Sequence, residues 1–135
     1  MISVLDTTAF SAAMRHEPEI VSFLGERPPG AFAVVPPVVA EIEYGLRRLD
    51  RASHRLRLLT TQKERLLSAI PLLDWIPAAS VQFGAIKAGL EAAGMIIEDF
   101  DIAVAAIARV HGAEVITANL THFTRIAGLS CRHWR

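Results

Sequence analysis

Ile2-Ser3-Val4-Leu5-Asp6-Thr7-Thr8 opens the chain with four β-prone residues, then an acid, then two hydroxyls. Such a run reads as a short strand that stops at Asp6, with Thr7 or Thr8 capping a following helix. A strand that passes directly into a helix is the first unit of an α/β pattern, and the rest of the chain repeats that alternation.

Helical segments are expected over Ala9–Met14 and over Glu19–Leu24, the second with Pro18 in its first turn. Pro28-Pro29-Gly30 breaks the chain, and Phe32–Val35 reads as a second strand halted by Pro36-Pro37. Val39, Ile42, Leu46 and Leu49 then recur at helical spacing, and a further helix carries Leu56, Leu59, Leu66, Leu67 and Ile70, the two forming an antiparallel pair. Pro71–Ile76 reads as a third strand and Ala78–Ala93 as a helix closed by Gly94. Another helix starts near Asp99 and ends at His111-Gly112. Glu114–Thr117, rich in β-branched residues, is the fourth strand, and Ser130–Trp134 is an edge strand. Strands joined through helices imply a parallel sheet, because each crossover needs a helix to return the chain. The expected fold class is α/β, with a central parallel sheet of about five strands flanked by helices on both sides.

At 135 residues, 52% of them apolar, the chain has ample material for one core, and folding at this length removes roughly two-thirds of its surface from water. There is one cysteine, Cys131, so an intrachain disulfide and a cysteine-rich zinc site are both excluded. The first residues lack the basic and apolar segments of a signal peptide, and no apolar stretch is long enough to span a bilayer. These features suit a cytoplasmic protein. Net charge is zero, yet between Arg47 and Arg65 seven cations face only Asp50 and Glu64. The rest of the chain is correspondingly acidic. A basic strip beside an acidic pocket suits an enzyme acting on a phosphate backbone, and equally describes a solvated helix face.

In an open parallel sheet, ligands gather at the carboxyl ends of the strands. Asp6 ends the first strand and Asn119 follows the fourth. Glu41 lies near the start of a helix, in Val38-Val39-Ala40-Glu41-Ile42, and Asp101 lies in the first turn of another, in Phe100-Asp101-Ile102-Ala103. Carboxylates in apolar surroundings are costly to desolvate unless paired or metal-bound. Oxygen-only ligands select hard ions, so Mg²⁺ or Mn²⁺ is favoured. Asp6 and Asp101 also have plainer readings: Asp6 as a helix cap, and Asp101, with Glu98 and Asp99, as an acid that complements a helix dipole. Glu43 is expected to face solvent or the basic strip. His54, His111, His122 and His133 read as surface or capping histidines, and Trp75 and Trp134 as core or interface residues. No Ser-His-Asp or Cys-His arrangement is evident.

Four segments in order resemble the PIN-domain proteins and, among them, the VapC-type toxins of bacterial toxin–antitoxin modules. They are Val4-Leu5-Asp6-Thr7-Thr8; Val38-Val39-Ala40-Glu41-Ile42-Glu43-Tyr44-Gly45-Leu46; Asp101-Ile102-Ala103-Val104-Ala105-Ala106-Ile107-Ala108; and Val115-Ile116-Thr117-Ala118-Asn119, followed by His122-Phe123 and Ile126-Ala127-Gly128-Leu129. The resemblance spans nearly the whole chain and implies one PIN-like ribonuclease domain over residues 1–135. It implies a metal-dependent RNA endonuclease with Asp6, Glu41 and Asp101 as metal ligands. Thr117 and Asn119 fall on the family's downstream polar pair, where many members carry a fourth acid. With Asn119 there, a two-metal hydrolysis is one negative charge short. Asp99 is an outside candidate for the missing charge, and Thr7 a hydroxyl supporting the acids.

The resemblance further implies a VapB-type antitoxin whose tail occupies the active-site groove, and a homodimer of toxins. The leucines of the Val38–Ile70 helical pair serve either as that binding surface or as internal packing. Arg47, Arg48 and Arg51 are the candidates to steady the RNA strand. Two other readings stand beside the endoribonuclease: a catalytically weak RNA-binding or regulatory module, and a DNA nuclease on the same fold.

Overall fold

The computed structural model describes residues 1–135. Its elements are β1 (Ser3–Leu5), α1 (Thr7–Met14), α2 (Pro18–Gly25), β2 (Phe32–Ala33), α3 (Pro36–Arg47), α4 (His54–Ala69), α5 (Pro77–Ala92), α6 (Asp99–Val110), β3 (Glu114–Ile116), α7 (Leu120–Phe123) and β4 (Cys131–Arg132). The strands form one sheet in the order β2-β1-β3-β4, and every pairing is parallel. Val4 pairs with Ala33 on one side and with Val115 on the other, so β1 is interior.

Alternation along the strands accounts for the helical layers. Val4, Ala33 and Val115 belong to one core, with Ile42, Leu46, Ile102 and Ile107 of α3 and α6. Their neighbours Leu5, Phe32 and Ile116 belong to a second core, with Ala9, Ile20 and Phe23 of α1 and α2 and with Trp134. Successive side chains on a strand point to opposite faces, so a sheet apolar at both registers must be covered on both sides. The α/β class and the flanking helices expected from the sequence are the ones found.

Two details differ from expectation. The sheet has four strands, and Pro71–Ile76 contributes only a bridge between Val34 and Leu72. Val34 donates its N–H to the Pro71 carbonyl (3.0 Å) and accepts from Leu73 (2.9 Å), but pairing goes no further. Asp74 turns its carboxylate onto the Trp75 N–H (2.8 Å), a local bond that competes with a ladder. The one-turn helix α7 was not expected. Elsewhere boundaries shift by a residue or two. Pro36 and Pro37 start α3 directly after Val35, which shortens β2, and Gly94 follows α5 at φ +68°, a conformation that suits glycine.

Candidate functional site

β1 delivers Asp6 to the carboxyl edge of the sheet, where its N–H still bonds the Ile116 carbonyl (3.1 Å). There the chain turns into α1 and Asp6 becomes its N-cap. Oδ1 accepts from the Ala9 N–H (3.0 Å) and from the Thr8 hydroxyl (2.6 Å), and Oδ2 accepts from the Thr117 hydroxyl (2.5 Å). Asp6 is 2% exposed. Asp6 thus caps α1, the plainer of its two readings, and does so at the carboxyl edge of the sheet.

Burial pushes the Asp6 carboxyl up; bonds from Thr117, Thr8 and Ala9 oppose this, and the Asp101 charge adds to it. Glu41, in the second turn of α3, accepts from the Thr7 hydroxyl (2.7 Å). Its carboxyl is also pushed up, first by burial and then by the charges of Asp101, Glu98 and Asp6, against the Thr7 bond. Asp6, Glu41 and Asp101 therefore lie close enough for their charges to act on one another, although they come from positions far apart in the chain.

Asp101, in the first turn of α6, meets His122 of α7, with Nδ1 to Oδ2 at 2.8 Å. None of the six ion pairs gives Asp6, Glu41 or Asp101 a lysine or arginine. Their partners are hydroxyls, one backbone N–H and one imidazole, so the negative charge is left largely uncompensated. Such oxygen donors fit a hard divalent cation. No set of three His, Cys, Asp or Glu side chains is preassembled as a cation cage. Each acid has its own partner: Asp6 has Thr8 and Thr117, Glu41 has Thr7, and Asp101 has His122.

The downstream pair is tied into the same network. Thr117 is fully buried and its hydroxyl, while donating to Asp6, accepts from the Asn119 N–H (2.8 Å). The Thr8 hydroxyl accepts from Ala118 (2.9 Å). Asn119 is half-buried at the start of α7, and its side chain does not cap that helix.

Other sequence-predicted residues fall elsewhere. Asp99 turns away to α5, where it pairs with Lys87 (2.9 Å), so Glu98 and not Asp99 adds charge near Glu41. Residues two apart on a helix point in different directions. Glu43 faces the basic strip through Lys63 (2.6 Å). Arg47 and Arg51 line a small pocket with Glu43 and Lys63, whereas Arg48 lines the cleft that holds Glu41 and Thr7. That cleft, about 400 Å³, also receives Arg15 from α1, Arg55 from α4 and Tyr44 from α3. Of the four histidines assigned to the surface or to caps, His122 instead bonds Asp101; its place three residues after Asn119 was the only available signal.

An all-parallel sheet between two helical layers, with Asp6 at its carboxyl edge, defines an α/β protein. The PIN domain family matches residues 3–129, and the chain belongs to that family. Ribonuclease VapC2 of Haemophilus influenzae is 31% identical over 132 residues, covering 97% of this chain and 96% of that protein. A tRNA(fMet)-specific endonuclease VapC of Shigella flexneri is 27% identical, again covering 97% and 96%. In fold the chain is similar to DNA-bound VapBC from Salmonella typhimurium, with a TM-score of 0.88 at 24% identity, covering 100% of this chain and 99% of that one. No helix is long and apolar enough to cross a membrane.

Proposed function

We propose that this chain is an endoribonuclease of the VapC kind, dependent on Mg²⁺ or Mn²⁺, which works in the cytoplasm as the toxin of a toxin–antitoxin pair. Its partners are an RNA substrate, a VapB-type antitoxin and a second copy of itself. Family membership supports the class of activity. The observation that supports the site is the hydroxyl network at the sheet edge, with Thr8 and Thr117 on Asp6 and Thr7 on Glu41, while neither these acids nor Asp101 is paired with a lysine or arginine.

Asp6, Glu41 and Asp101 would hold the cation. When bound, a divalent cation supplies Lewis acidity and offsets the charge that develops on a phosphodiester. The protein's own part is orientation. Thr8 and Thr117 fix the two Asp6 oxygens, Thr7 holds Glu41, and His122 positions Asp101. Asn119 presents a neutral amide to the same edge, able to donate to or accept from a water. No serine, cysteine or histidine is needed as a nucleophile.

Cleavage of single-stranded RNA by Asp6→Asn and Asp101→Asn proteins, beside wild type, tests the assignment. Loss of Mg²⁺-dependent cleavage in both, with circular dichroism unchanged, is expected; cleavage retained in both overturns it. A matched DNA oligonucleotide in the same assay separates ribonuclease from deoxyribonuclease, and Mn²⁺ calorimetry separates an active site from a decayed one.

A further inference from the structure

Tyr44 is the only tyrosine in the chain, and it is 66% exposed. It stands three residues beyond Glu41 on α3, a spacing that puts both on one face of the helix, and both line the same cleft. One turn further on, the Arg48 guanidinium lies over the Tyr44 ring, 5.7 Å from its centroid. Arg55 enters the cleft from α4. Neither Arg48 nor Arg55 takes part in any of the six ion pairs, while Arg15, the third cation of the cleft, is bound to Glu17. Two uncompensated guanidinium groups and an exposed ring beside an acidic site complement a polyanion with flat apolar groups attached.

We propose that Tyr44 is a base-stacking platform that makes single-stranded RNA the preferred substrate; this rests on the ribonuclease reading above. A nucleotide beside the scissile phosphate lays its base on the open face of the Tyr44 ring. Arg48 braces the ring from the other side, and Arg55 takes a backbone phosphate. A base in a duplex is already stacked on its neighbours and its face is closed to the ring, so the platform selects unpaired segments. Base–aromatic stacking tolerates any base, so the platform favours strandedness and leaves sequence choice to other contacts.

The test measures binding without cleavage. An Asp6→Asn protein in EDTA is titrated against a fluorescent 12-nucleotide RNA, followed by anisotropy, with a hairpin of the same composition as competitor. Tyr44→Ala is expected to weaken single-strand binding by about 10-fold, while Tyr44→Phe and Tyr44→Trp retain it. Arg48→Lys, which keeps the charge and loses the planar brace, falls between them. Arg135→Ala, a charge removed elsewhere, leaves binding within about twofold, as expected for a site that does not touch the strand. An abasic site in the RNA should weaken wild-type binding and leave the Tyr44→Ala protein indifferent. Equal RNA affinity for Tyr44→Ala and Tyr44→Phe overturns the proposal. Tyr44-dependent binding by a wild-type protein that cleaves no RNA would sink the nuclease reading alone; cleavage with Tyr44-independent binding would sink the platform alone.

Discussion

Asp6 sits where burial and a neighbouring charge both disfavour its ionised form, and this sets a measurable opposition between activity and stability. A carboxyl whose folded value stands above its unfolded one binds protons more tightly when folded. Its contribution to stability is therefore greatest at low pH and declines as pH rises from the ordinary aspartate range through the raised folded value. At neutral pH the ionised group costs stability. Asn keeps the N-cap acceptor and loses the charge, so Asp6→Asn is expected to melt on the order of 3 °C higher than wild type without metal, while losing cleavage. The gap should narrow in mildly acidic buffer, which differential scanning fluorimetry across pH would read. Glu114 behaves in the opposite sense. Burial raises its carboxyl, but bonds from Ser3 (2.6 Å) and Arg132 (3.1 Å), with the charges of Arg132 and Arg27, outweigh it and hold the group below the usual range. Its stabilisation is present above the ordinary glutamate value and is lost as pH falls through the lowered one. Glu114→Gln should cost about 1 kcal/mol at pH 7 and nothing in strong acid, read from urea midpoints.

The helices divide into deeply buried and largely exposed ones, and the sequence foretold which helices exist better than how they bury. α6 buries seven consecutive residues, Ile102–Ala108, because its alanines let it lie close against the sheet and α5. α4 buries none completely; its leucines at 56, 59, 66 and 67 pack only partly against the core. Ser53 caps α4 through the Leu56 N–H (3.1 Å), so Ser53→Ala should cost about 1 kcal/mol. The loss is expected as faster amide exchange confined to α4, with α6 unchanged. Periodicity located α3 to α6 because apolar stripes and proline or glycine stops agree there. It overextended Pro71–Ile76, since apolar content does not reveal that Asp74 will bond its neighbour's N–H. At the site, Glu41 and Asp101 were legible from their apolar surroundings, Asp6 from its place at the end of a strand, and the three as a set from the order of the motifs. The placement of His122 on Asp101, of Glu98 near Glu41, and of Arg55 and Tyr44 in one cleft was not, because tertiary packing alone brings these neighbours together.

For the molecule as a whole, Asp6, Glu41 and Asp101 come from elements that only folding brings together, so a cation that they bind should stabilise the entire chain. Mn²⁺ at about 100 times its dissociation constant is expected to add about 2.7 kcal/mol, seen as a rise in melting temperature that Asp101→Asn abolishes. No rise in wild type would argue against the metal assignment. The sheet adds a constraint in time. β1 begins at Ser3, yet its interior partner β3 begins at Glu114, and the hydroxyl that fixes Oδ2 of Asp6 belongs to Thr117. Pairings so distant form late and slowly, because a long loop must close first. Until residues 114–117 have paired with β1, Asp6 lacks both the Thr117 hydroxyl and the neighbouring strand, so its carboxylate is fixed in place only when the two ends of the sheet have met.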